Sequence, residues 1–251
     1  MNSIFKYSEL ASFLRHTGER FMVTSLGKWD GSNAIILRHD VDFQVERAYD
    51  LALLEKDCNV TSTFFFLTTC HSYNPMSALN RSMIRRITEM GFEVGLHFDP
   101  SVYGGVSDSE MEQHAWNEAR ILSTTTGQDV KSISIHNPSV HGKYLLFEGF
   151  RNAYDPAIFS SDRYLSDSRM EFLSDIWDFV ERVKDHPVQV LLHPLHFSQL
   201  GEGYPSIFST FVHNWIEQVD QTARCISTYR AQMKTDLLTH AAQEHLRLNK
   251  S

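Results

Sequence analysis

Cysteine is scarce in this chain, and the three present, Cys58, Cys70 and Cys225, are scattered with no Cys-x-x-Cys spacing. An odd, dispersed set reads as free thiols in a reducing compartment and excludes a disulfide framework. No apolar run approaches the ~20 residues a membrane span requires, and the first ten residues hold no apolar core of signal-peptide length. The expectation is a soluble, cytoplasmic protein without integral membrane association. Positive charge is also short, with 23 Lys+Arg against 31 Asp+Glu and a net charge of −8. With no basic patch, nucleic acid and anionic membrane surfaces are poor partners. Linkers, low-complexity tracts, charge blocks and internal repeats are absent as well, so residues 1–251 read as one domain with a helical C-terminal segment over 205–251.

What is present is an ordinary globular composition, 42% hydrophobic and 22% charged, able to bury a substantial core. Short apolar runs alternate with amphipathic stretches. Strands are expected at Phe21–Val23, Ile35–Asp42, Ser62–Leu67, Phe92–Phe98, Val130–His136 and Val188–His193. Between them, helices are expected at Ser8–Thr17 with Ser8 as cap, and at Val45–Glu55 with Ala48, Leu51, Ala52 and Leu54 inward. Two more are expected at Met76–Met90, ended by Gly91, and at Ser107–Thr126, ended near Gly127. Helical character returns from Pro205 to about Leu248 in two pieces, with Leu246–Ser251 fraying. This alternation implies βα units and a mainly parallel sheet or barrel.

Histidine is plentiful, thirteen in all, and several mark strand ends. The buried runs finish in Asp40/Asp42, His97, His136 and His193. In parallel α/β architectures the strand C-termini share one side of the molecule, where active sites form. Asp40 and Asp42 alternate onto one face of their strand, and two carboxylates there are costly unless they share a cation or a proton. A metal site or an acid/base pair answers that cost. The plainer alternative has Asp42 capping the helix that follows. Asp and His donors together suit zinc or a similar divalent ion.

These residues resemble the ordered motifs of the polysaccharide deacetylases, carbohydrate esterase family 4. The motifs are Arg38-His39-Asp40-Val41-Asp42, Gly91 to His97, Ser134-Ile135-His136-Asn137-Pro138-Ser139 and Leu191-Leu192-His193-Pro194. Tyr164-Leu165-Ser166-Asp167-Ser168 resembles a motif of a divergent branch, some members of which occur with surface-polysaccharide (lipopolysaccharide or capsule) biosynthesis. The resemblance implies a distorted (β/α) barrel of about seven strands and metal-dependent hydrolysis of an N-acyl, chiefly N-acetyl, sugar or oligosaccharide. It places the general base on Asp40, metal ligands on Asp42 and His97, the general acid on His193, and an acidic residue tuning that machinery on Asp167. The cofactor it implies is a divalent metal, zinc foremost.

The chain departs from that pattern in three places. Val41 separates the usually adjacent aspartates, so the base and ligand roles of Asp40 and Asp42 are open to exchange. Ser101 stands where the family has a second ligand histidine, and His136-Asn137-Pro138 where it usually has an arginine. We hypothesise His136 as the third ligand, with Asp99 as its competitor. Plainer readings stand beside the rest: His39 as structural, Arg38 as a partner of some carboxylate, and His196 as a packing or rim residue. Tyr73, Tyr103 and Trp177 read as sugar-stacking or core, and Cys70–His71 as a nucleophile pair only against geometry. Two other classes stay open: a catalytically degenerate deacetylase fold that binds sugar or protein, and a metal hydrolase of another small amide.

Overall fold

The computed structural model describes residues 4–138 and 144–248. Ser139 of the third motif and the last three residues of the expected fraying segment lie outside them. Two compact units divide the chain, Met1–Gly201 and Glu202–Ser251. The first contains the strands β1 (Val23–Thr24), β2 (Ile35–Val41), β3 (Thr63–Phe66), β4 (Glu93–Phe98), β5 (Ser132–Ile135), β6 (Arg151–Asn152), β7 (Tyr164–Ser166) and β8 (Val188–Leu192). All pairings among them are parallel, in the order β6-β5-β4-β3-β2-β8-β7, with β1 added against β2. The seven-strand path curls into a distorted (β/α) barrel.

Parallel register is what carries distant residues to one rim. Val41 pairs with Phe66 across β2 and β3, His39 with Leu192 across β2 and β8, and His97 with Ser134 across β4 and β5. Strands β2, β3, β5 and β8 are buried at every position, as expected of strands covered on both faces. Gly95 is required by close approach: a Cβ there would collide with the Phe65 ring.

Helices α1 (Tyr7–Arg20), α2 (Val45–Asp57), α3 (Ala78–Glu89) and α4 (Asp108–Thr126) cover the sheet. The last has the Ser107 cap its sequence encodes and stops at Gly127, whose φ of +77° is the left-handed conformation glycine takes without cost. Several expectations shift. The first helix starts one residue before Ser8 and the first strand moves to Val23–Thr24. On α2 it is Glu55, not Leu54, that joins the buried stripe of Val45, Ala48 and Ala52. Strands β6 and β7 lie in the aromatic stretch where no strand was expected; at two and three residues they are too short to show a period.

In the second unit, helices run over Tyr204–Ala223, Ser227–Gln232 and Leu237–Leu248, three pieces in place of the expected two. Asp220 ties them, accepting from Arg224 Nε, the Tyr229 hydroxyl and the Leu237 amide. Among the described residues no helix is long and apolar enough to cross a membrane.

Candidate metal and acid/base site

The six residues singled out in the sequence lie together at the C-terminal rim of the barrel. β2 delivers Asp40 and, one residue past its end, Asp42. β4 delivers His97, the turn after β5 delivers His136, and the turns after β7 and β8 deliver Asp167 and His193. Asp40, Asp42, His97, His136 and His193 border one cavity of about 220 Å3. Its walls include Tyr144, Tyr154, Phe159 and Tyr164, aromatics of the section whose role the sequence left unread.

Asp42, His97 and His136 form one close cluster. His97 Nε2 lies 3.2 Å and His136 Nδ1 3.3 Å from Asp42 Oδ1, and the two nitrogens are 3.0 Å apart. Asp42 Oδ1 is buried yet has no aligned hydrogen bond from the described residues. A tetrahedral zinc ion with arms of about 2.0–2.1 Å spaces its donors by about 3.3 Å. The observed triangle is nearly that face, so an Asp/His/His donor set fits a divalent ion. His97 Nδ1 sits 3.2 Å from the Ser134 carbonyl, which fixes the proton there and leaves Nε2 its lone pair. His136 is aimed by Asn137, which takes a φ of +46° that asparagine tolerates better than most residues and meets His136 Nε2 at 2.9 Å. Burial alone would raise the Asp42 pKa. The imidazoles of His136, His97 and His193 reverse that and hold its carboxyl far below the usual carboxylate range. Asp99, the competing candidate, instead binds the Ser101 amide and hydroxyl through Oδ1 at 2.9 and 2.6 Å.

A second cluster abuts the first. His193 Nδ1 donates to Asp167 Oδ1 at 2.5 Å while its Nε2 lies 3.9 Å from Asp42 Oδ2. Asp167 is completely buried; both its oxygens also accept the His193 backbone N–H, and Oδ2 meets His196 Nδ1 at 2.9 Å. Of the two readings, packing or rim, His196 takes the buried one and is a partner of the acidic residue, held by the short helical turn Pro194–His196. Burial would lower the His193 pKa, but Asp167, with Asp42 and Asp40 behind it, raises it to about 9. Burial would raise that of Asp167; His193 and His196 press it well below its ordinary value.

Asp40 sits deeper. Its Oδ2 accepts from Ser134 Oγ at 3.1 Å, and its Oδ1 has no hydrogen-bond partner among the described residues. The other sequence candidates stay away from the cavity walls. Tyr73 donates to the Val41 carbonyl, Tyr103 stacks on Phe98, and Trp177 meets Phe13 edge-on. Cys70 Sγ bonds the Asp42 carbonyl, a structural contact.

No protein-family model and no curated protein sequence matches the chain. Solved structures do. The chain is similar to an activity-restored mutant of a family 4 carbohydrate esterase pseudoenzyme (16% identity, TM-score 0.44, 73% of this chain and 64% of that one), whose unmutated form comes from Bacillus anthracis. It is also similar to a family 4 carbohydrate esterase from Streptomyces lividans (15% identity, TM-score 0.41, 74% and 90%). A third likeness is to a peptidoglycan N-acetylglucosamine deacetylase (16% identity, TM-score 0.39, 79% and 88%). The chain spans about 64% of the length of the first of these. At such identities and TM-scores the likeness carries no argument about the site, whose chemistry rests on its own geometry.

Proposed function

We propose that this protein is a metal-dependent hydrolase that removes an N-acyl group, chiefly N-acetyl, from a sugar or a sugar-containing intermediate of surface-polysaccharide biosynthesis. The observation that carries the reading is the donor triangle of Asp42, His97 and His136, which shares one cavity with the Asp40 carboxylate and with His193. Those three side chains would hold a divalent ion, zinc foremost; when bound, it supplies Lewis acidity toward the acyl carbonyl and makes water easier to deprotonate. Asp40, whose Oδ2 lies 4.0 Å from His97 Nε2, takes the proton of the attacking water. His193, with its pKa at about 9, carries a proton at neutral pH. It donates from Nε2 to the departing nitrogen, which is a very poor leaving group without one. Asp167 holds His193 Nδ1–H and so fixes which nitrogen faces the substrate. Tyr154, Phe159 and Tyr164 offer the apolar walls that sugar-ring faces favour.

The test is metal content of the purified chain together with amine release from N-acetylated and N-formylated sugars, free and nucleotide-linked. About one ion per chain, lost in Asp42→Ala along with amine release, supports the reading. Absence of metal after reconstitution with zinc, cobalt and nickel overturns it in favour of a binding protein on the same fold.

A further inference from the structure

Among the described residues Arg38 is the largest fully buried side chain, and nothing in the scheme above uses it. Alternation along β2 puts Arg38, Asp40 and Asp42 on one face and His39 and Val41 on the other. The contacts agree. His39 turns to Glu55 on α2, while Arg38 reaches across the barrel interior to Ser134 on β5 and to Tyr154. Its guanidinium lies over the rings of Tyr154, Tyr164 and Phe65 at 4.9, 5.7 and 5.8 Å, an aromatic cage that makes room for a dry cation.

The polar path from this cation ends on Asp40. Arg38 Nη1 donates to Ser134 Oγ at 2.8 Å, and Ser134 Oγ lies 3.1 Å from Asp40 Oδ2. A guanidinium cannot accept a hydrogen bond, so the hydroxyl lone pair is committed to Arg38 and its hydrogen is forced toward Asp40. Arg38 Nη2 stands 3.7 Å from the same oxygen, close enough for attraction but outside hydrogen-bond reach. Nη2 also donates to the Tyr154 hydroxyl, which in turn lies 3.3 Å from the Ile135 carbonyl, so the cavity wall is pinned by the same group. Among the described residues Asp40 is thus held through Oδ2, the oxygen that also lies 4.0 Å from His97 Nε2.

We propose that Arg38 is a positioning residue: through Ser134 it fixes the orientation of the Asp40 carboxylate that takes the proton of the reacting water. This deepens the hydrolase reading and rests on it for its kinetic arm. Breaking a buried charge pair costs most when one partner is removed, because the other is left uncompensated, and removing both costs less than the sum.

The experiment uses the full zinc-reconstituted chain with Arg38→Met, Asp40→Asn, the double variant and Ser134→Ala. In thermal denaturation each single charge variant should lower the midpoint by roughly 10 °C, and the double variant should fall short of the sum. In kinetics Arg38→Met should lower kcat about 100-fold through misplacement of the base, with zinc retained. Added to Asp40→Asn, it should cost almost nothing more. Should Arg38→Met not fold, Ser134→Ala, which keeps the cation in its cage, must still lower kcat without a matching change in KM. Additive stability losses would overturn the coupling whether or not the protein hydrolyses anything. A kcat loss that multiplies with that of Asp40→Asn, or a Ser134→Ala variant with wild-type kcat, would overturn the positioning role. Failure of the hydrolase reading would show separately, as an absence of amine release from the unmodified chain.

Discussion

Strand β2 carries acidic–histidine chemistry on both of its faces, and the two faces use it differently. On the helix side, His39 Nε2 meets Glu55 Oε1 at 2.6 Å and Ser62 Oγ donates to Glu55 Oε2 at 2.5 Å, with all three residues fully buried. The His39 ring stacks on Phe64 at 4.4 Å, and both carboxylate oxygens are used. On the barrel side, Asp42 faces two imidazoles without hydrogen-bond alignment and, among the described residues, one Asp40 oxygen has no partner; both residues border a cavity. The same residue types give a sealed strut in one place and a convergent, open cluster in the other. Residue chemistry alone does not mark a site. Several strand ends aiming lone pairs at one accessible point do.

The comparison breaks most sharply at the barrel face. Asp42→Ala should abolish stoichiometric metal binding and lower amine release by roughly 10³-fold or more, the scale of losing several kcal/mol of charge stabilisation. Metal analysis by mass spectrometry and an amine assay check it together. His193→Gln should retain the metal while kcat falls by about 10²- to 10⁴-fold, the usual worth of a general acid. Loss of metal in that variant would show His193 to be a ligand instead.

The helix face should respond in the opposite currency. Glu55→Ala leaves His39 and Ser62 buried without their acceptor and should cost about 3–5 kcal/mol of stability, as removing one member of a buried pair does. Metal content and kcat of the folded fraction should stay at the level of the unmodified chain. A denaturant titration beside the same amine assay decides it, and a drop in kcat at full folding would place the strut within the catalytic machinery.

The two faces were not equally legible in the sequence. Asp40, Asp42, His97, His136 and His193 were readable because each ends an apolar run, and parallel strands must bring such ends together. Asp167 ends a strand of only three residues, so periodicity said nothing and a motif resemblance singled it out. Glu55 was missed although a signal was there: Val45, Ala48 and Ala52 set a helical stripe whose next member is position 55. A charged residue on that stripe demands a buried partner, and His39 alternating away from Asp40 was the group available. Ser134 and Tyr154 gave no such signal, since a serine in a strand and a tyrosine in an aromatic stretch read as packing. Their roles depend on what lies across the barrel, which only three-dimensional register fixes.

The smallest expected effect concerns the Asp167–His193 pair and its dependence on pH. The His193 pKa stands at about 9 against an ordinary 6.5, so the stability it contributes is complete below 6.5 and is lost as pH rises through about 9. At about 1.4 kcal/mol per unit that is roughly 3 kcal/mol at most. Asp167 has the opposite sign: its pKa is depressed from 3.8, so its contribution is present above that value and is lost as pH falls through the lower folded-state pKa. Metal-free protein titrated with urea from acid to alkaline pH should therefore show a plateau that declines at both ends. Asp167→Asn removes the carboxylate that generates both shifts and should flatten the alkaline decline between pH 6.5 and 9. Glu55→Gln, on the far face of β2, should lower the whole curve without changing that slope. An unchanged alkaline slope in Asp167→Asn would mean that Asp42 and Asp40, not Asp167, hold the proton on His193, and the acid would then be set by the metal-binding side of the cavity.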